Sequence, residues 1–206
     1  MHVLFVHGMG RTPLSAMPIL RRLKADGHTT SGFGYSAMLN DFESIRNRLL
    51  EKIIDIAPLG TYILIGHSLG GVLLRSALSH LPQNVNPPQH LFLLGSPTQS
   101  ALLARKLNQQ RLYRLMTGDC GQLLASDERM NAIGSTNINT TSIIGTKGIT
   151  GQFSPFSNEP NDGIVAVSEI STSWISDEVY VPVVHTLLPT SRQVANILID
   201  RLQVFH

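Results

Sequence analysis

The 206-residue chain is 42% hydrophobic and 15% charged, with a formal net charge of +2 at pH 7. That balance belongs to globular proteins and excludes a chain made of disordered tracts, and the length is most simply read as one domain over residues 1–206 with a single sizeable core. The charges are mixed in sign and show none of the aromatic and basic interleaving that stacks on bases, so nucleic acid is not an expected partner.

Short apolar runs alternate with longer helical patterns, the mark of a parallel α/β sheet covered by helices. The first strand is His2–Val6, and it leads straight into the loop His7-Gly8-Met9-Gly10. A helix is expected over 14–25, preceded by Thr12 as cap candidate and Pro13, then a strand over 29–34. A second helix over 41–56 opens on Asp41 and is stopped by Pro58. A strand over 61–66 and a helix over 70–81, stopped by Pro82, flank Gly66-His67-Ser68-Leu69-Gly70-Gly71. The strand His90–Leu94 follows, and the low overall charge suits such strands if both faces of the sheet are covered.

Residues 96–137 form an excursion rich in Leu, Gln and Arg with weak helical patterns. Its Leu102, Leu103, Leu107, Leu112, Leu115 and Met116 read either as a lid over a site or as ordinary short helices. A strand over 141–144 precedes an irregular segment, 145–160, punctuated by Gly148, Gly151, Pro155 and Pro160. Phe153 and Phe156 of that surface loop are expected to reach the substrate. The last strand is placed at 179–183, and in the last helix, 191–205, Val194, Ile197, Leu198, Leu202 and Phe205 recur at three- and four-residue steps. No internal repeat is visible.

Cys120 is the only cysteine, which rules out an intrachain disulfide and a Cys-rich metal site and leaves a small buried hydrophobe as its expected role. No signal-peptide pattern opens the chain, so a cytoplasmic protein is the default, although a mature secreted form would read the same. No apolar stretch approaches the roughly 18 residues of a membrane span.

A strand, a sharp turn and a helix around Gly-x-Ser-x-Gly describe a nucleophile elbow, with the Ser68 hydroxyl raised above the sheet edge. A serine hydroxyl is a weak nucleophile at neutral pH and needs a base, which in turn needs a group to hold its tautomer. His185, after the run 179–184 and before the final helix, is the best-placed base. His2, His7 and His67 precede or touch the elbow, His28, His80 and His90 sit at connections toward the other strand ends, and His206 is terminal. His7 is expected to shape the loop after the first strand. Asp162 in Asn161-Asp162-Gly163 is the expected acid, although that tripeptide is also a good turn sequence. Glu159 is the substitute, while Asp177 and Glu178 fall at the start of the last strand, the wrong end of the sheet. The backbone N–H groups of Met9 and Leu69 are the expected oxyanion donors. No His-x-x-x-His helix, Cys pair or phosphate-binding glycine loop is present, and the proposed chemistry calls for neither metal nor cofactor.

These segments, from Val3 to Gly10, from Ile65 to Gly71, from Asn161 to Val165, and His185, resemble the α/β-hydrolase family, in particular small bacterial lipases and lipase-like esterases. The resemblance implies a compact α/β-hydrolase fold: a mostly parallel sheet of about six strands, helices on both faces and no separate cap domain. It also implies Ser68 as nucleophile, Asp162 as acid, His185 as base, Met9 and Leu69 as oxyanion hole, and cofactor-free hydrolysis of carboxylic esters, small-molecule or lipid. The first strand resembles the third of the fuller family pattern, so a sheet without that pattern's first two antiparallel strands is expected. Thioesterase, acyltransferase and amidase chemistry use the same triad, and a non-catalytic binding protein on the same scaffold is the reading from another class.

Overall fold

The computed structural model describes residues 1–205, so His206 lies outside the described residues. Six strands, β1 (His2–Val6), β2 (Thr29–Phe33), β3 (Tyr62–His67), β4 (His90–Leu94), β5 (Thr140–Gly145) and β6 (Asp177–Val181), form one sheet in the order β2-β1-β3-β4-β5-β6. Every pairing is parallel, as expected for strands joined by helical crossovers. The helices are α1 (Met17–Ala25), α2 (Phe42–Ile56), α3 (Leu69–Leu78), α4 (Leu102–Leu107), α5 (Arg111–Leu124), α6 (Asp127–Ile133) and α7 (Arg192–Leu202).

Alternation along β1 divides the core. Leu4 and Val6 pack with α2, α3, α5 and α6 on one face, whereas Val3 and Phe5 pack with α1 and α7 on the other. All four β1 side chains are fully buried, as are Ile63, Leu64 and Ile65 of β3, and each such side chain stabilises the fold by roughly 1.5–3 kcal/mol. The chain runs from β1 outward to β2, then returns across to β3, so the strand order reverses between β1 and β3. The crevice at the C-terminal ends of these two strands is where sheets of this kind bind ligands, and it is flanked here by the loop after Val6 and by Ser68.

Several boundaries differ from the sequence reading. The first helix begins as a 3-10 turn, Pro13–Ala16, and the Thr12 side chain makes no capping bond. Asp41 lies just before α2 and caps it, accepting from the Ser44 N–H at 2.7 Å. The helix expected over 70–81 runs from Leu69 to Leu78, and α7 ends at Leu202, with a 3-10 turn, Gln203–Phe205, after it. β6 lies two residues earlier than expected, leaving 182–184 as the connection to His185. The excursion between β4 and β5 holds three helices, and α5 bends at Gly118, whose φ of 54° and ψ of −146° are not helical.

Candidate active site

Ser68 sits between β3 and α3 with φ 53° and ψ −125°, one of two non-glycine residues at positive φ among the described residues. Holding a serine there costs about 1–3 kcal/mol, which the surrounding packing must offset. The flanking glycines explain how the turn closes. A Cβ on Gly66 would lie 2.5 Å from the Gly71 nitrogen, and one on Gly70 would lie 2.6 Å from the His7 carbonyl oxygen. Any side chain at either position would push α3 away from the strands and lower the serine from the crevice.

The loop between β5 and β6 brings Asp162 beside His185. Asp162 is 1% exposed, and its Oδ1 accepts from the N–H groups of Ile164 at 2.9 Å and Val165 at 2.8 Å. Its Oδ2 accepts from His185 Nδ1 at 2.6 Å, and the His185 N–H donates to the Asp162 carbonyl at 2.9 Å. A carboxylate only accepts, so in this bond the neutral imidazole carries its proton on Nδ1 and a lone pair on Nε2. Asn161-Asp162-Gly163 also forms a turn: Asn161 Oδ1 accepts from the Gly163 N–H at 2.9 Å, and its amide donates to the carbonyls of Ile149 and Glu159. The turn thus fixes the acid in space.

The other acids are engaged elsewhere. Glu159 accepts from the Ser168 N–H at 2.9 Å. Asp177 pairs with Arg201 and Glu178 with Ser171 and Tyr180, near the opposite end of the sheet.

Two histidines beside the site have separate tasks. His7 is stacked on Tyr35 at 4.2 Å, donates from Nδ1 to the Gly8 carbonyl at 2.8 Å, and accepts at Nε2 from the Tyr35 N–H at 3.3 Å. Burial lowers its pKa, so the neutral ring braces the Gly8–Met9 loop. His67, next to Ser68, donates from Nε2 to the His185 carbonyl at 3.0 Å. Burial first, and then His185, hold its pKa well below the ordinary value. Sequence reasoning missed this tie between the elbow and the His185 loop, because nothing in the sequence distinguishes a histidine at a strand end from a packed one. His2, His28, His80 and His90 lie outside the crevice; His90, for example, bonds Thr141 Oγ1 at 2.9 Å and packs its ring at a tilt against Phe92.

Leu69 is the first residue of α3, so its N–H has no intrahelical acceptor. Neither it nor the Met9 N–H donates to another group among the described residues. Ser68, His185, Gly8 and Met9 line a common cavity of about 300 Å³, whose walls come from Leu103, Leu107, Tyr113, Leu124, Ile164 and Val165. Part of the excursion therefore walls the site, while Leu112, Leu115 and Met116 face solvent. The expectation for Phe153 and Phe156 fails: Phe153 is 90% exposed, Phe156 is buried, and neither lines the cavity. Cys120 is buried, as its composition suggested, and burial pushes its thiol up to about 12. Among the described residues no group of three or more His, Cys, Asp or Glu could hold a metal ion, and no helix is long and apolar enough to cross a membrane.

Comparison with known proteins follows the same lines. The family model of the thioesterase domain matches residues 17–136, more than half of the chain. The probable esterase PIR7A of Oryza sativa, in its indica and japonica forms, is 29% identical over 93 residues, which cover 41% of this chain and 35% of the relative. The match thus spans about a third of the curated relatives' length. Among solved structures, the mature Bacillus licheniformis lipase BlEst2 superposes with a TM-score of 0.66 at 16% identity, covering 98% of this chain and 90% of that one. Polyneuridine aldehyde esterase gives 0.63 at 14% identity, covering 97% and 98%, respectively. The thioesterase RedJ from the prodiginine pathway of Streptomyces coelicolor gives 0.61 at 12%, covering 98% and 84%. At these identities the structures speak for the fold. The family model shows that this chain belongs to the thioesterase-domain family, and the superpositions, with the parallel sheet, show the α/β-hydrolase fold of lipases and esterases.

Proposed function

We propose that the protein is a serine hydrolase that cleaves carboxylic esters through an acyl-Ser68 intermediate. The observation that carries this reading is the buried His185–Asp162 hydrogen bond of 2.6 Å, facing the same cavity as a serine held at positive φ. His185 Nε2 removes the Ser68 proton as Oγ attacks the acyl carbon. The N–H groups of Met9 and Leu69 receive the oxyanion of the tetrahedral intermediate. Collapse expels the alcohol, which takes the proton from His185. Water, deprotonated by the same nitrogen, then attacks the acyl-serine and releases the acid and free Ser68. The mechanism uses only this chain and water.

The cavity is apolar and lies at the small end of the usual range for ligand sites, about 300–1,000 Å³, which favours a short or medium acyl chain. A second reading, hydrolysis of acyl thioesters, has its own support in the thioesterase-domain match. The triad itself leaves the leaving group open. Rates on p-nitrophenyl esters from acetate to palmitate, set against matched acyl thioesters, on the wild type and His185→Ala, separate the readings. The proposal expects the oxygen esters to be turned over faster, with a maximum at short or medium chains, and expects His185→Ala to lose that activity. Equal rates for the wild type and His185→Ala refute a hydrolytic role for this histidine, and faster thioester turnover selects the second reading.

A further inference from the structure

Near the C-terminal end of α3 lies Arg75, only 3% exposed. Its Nη1 donates to the Pro97 carbonyl at 3.3 Å, its Nη2 to the Gly134 carbonyl, and its guanidinium carbon stands 4.9 Å from the centre of the Trp174 ring. These bonds leave three of the five guanidinium N–H groups unused, and the Nε group is buried without a partner. No carboxylate among the described residues pairs with it. Burial lowers the Arg75 pKa to about 10, and no neighbouring acid acts to raise it, so the group is still a cation at neutral pH. Buried charges are ordinarily paired with an opposite charge, and two carbonyl dipoles with one aromatic face do not supply one.

Arg75 borders a pocket of about 310 Å³ that is separate from the acyl cavity and shares no lining residue with it. No Asp or Glu lines this pocket. Asn131, Ser135 and Thr172 contribute an amide and two hydroxyls to its wall, with Trp174 beside the guanidinium. A cation lacking a counter-ion, neutral hydrogen-bond donors and an absence of acids together describe a receptor for an anion. The planar fork of arginine matches oxyanions in particular.

We propose that this pocket binds a compact oxyanion, a phosphate or carboxylate group of a small molecule in solution, with Arg75 as its counter-charge. Binding there calls for no chemistry at Ser68. The site does border the acyl cavity through Pro97, whose carbonyl Arg75 holds and which lines that cavity.

The test is isothermal titration calorimetry of the full chain at constant ionic strength, with inorganic phosphate, acetate and chloride in separate arms. Saturable one-to-one binding of phosphate or acetate, without a matching chloride response, is the expected result, and the tighter of the two identifies the class of ligand. Asn131→Asp, which adds a carboxylate to the pocket wall with little change of shape, is expected to weaken that binding on the order of tenfold and to raise Tm in anion-free buffer. Arg75→Lys keeps the charge but removes the fork, and should weaken binding as well; if it fails to fold, Asn131→Asp alone decides. No saturable binding of either oxyanion overturns the proposal. So does binding of unchanged strength in Asn131→Asp.

Discussion

Asp162→Asn changes one atom and reverses the hydrogen-bonding logic of the proposed base. Asp162 Oδ1 accepts from two backbone N–H groups, at 2.9 and 2.8 Å, and an amide nitrogen placed there would confront both donors. The asparagine oxygen must therefore keep that position, which turns its NH2 toward His185 Nδ1. That nitrogen must then accept, so the imidazole proton moves to Nε2 and the lone pair facing the cavity is lost. In a Ser-His-Asp protease the equivalent change lowers kcat by roughly 10⁴, about 5 kcal/mol of transition-state stabilisation, with the geometry otherwise intact. We expect a loss of that size here in steady-state hydrolysis of p-nitrophenyl butyrate, with an unchanged circular dichroism spectrum. A folded Asp162→Asn variant that keeps activity within tenfold of the wild type refutes the reasoning.

Other consequences are open to test. Gly70→Ala places a methyl group 2.6 Å from the His7 carbonyl oxygen, a backbone atom that cannot step aside, and should lower Tm by roughly 3 to 10 °C in a thermal melt. His90 is buried, and desolvation lowers its pKa from 6.5 to about 4, so the unfolded chain binds its proton first. Its contribution is complete above pH 6.5 and is lost as the pH falls toward 4, on the order of 3 kcal/mol in all. Urea unfolding across that interval should show a shallower loss of stability for His90→Gln, and parallel pH profiles for the two proteins would contradict the assignment. Leu107→Trp narrows the acyl cavity and should reduce the preference for butyrate over acetate esters on the order of tenfold in kcat/KM; an unchanged preference would mean that acyl chains lie elsewhere.

Most of the sheet could be read from the sequence because its strands are covered on both faces. Runs such as Tyr62 to Ile65 and Leu91 to Leu94 are apolar throughout, and a strand of that kind is delimited by its composition alone. β6 begins two residues ahead of the apolar run from Val179 for the opposite reason. It pairs with β5 alone, and its first residues are polar, with Asp177 held by Arg201 and Glu178 by Ser171 and Tyr180, so tertiary partners define its start. The excursion hid its three helices because Gly118 breaks the period of α5 in the middle. Its side chains also divide between cavity and solvent, which blurs any single apolar face.

The candidate site was legible where chemistry demands a residue type: a serine between glycines, an acid in a turn, a histidine after the last strand. It was illegible where position alone matters. Nothing in the helical pattern 72–78 separates Arg75 from a solvent-facing arginine, since its isolation comes from Trp174 and Gly134, both distant in sequence. Tyr35, which holds the His7 ring, and Ile164 and Val165, which place apolar walls beside the acid, likewise acquire a role only from the fold.

The proposed chemistry requires Ser68 Oγ to be the atom that becomes acylated. Treatment of the native protein with a fluorophosphonate, followed by peptide mass mapping, should give one adduct on Ser68, none in Ser68→Ala, and much slower labelling in His185→Ala. An adduct on another residue, or ester hydrolysis by Ser68→Ala at the wild-type rate, would contradict it.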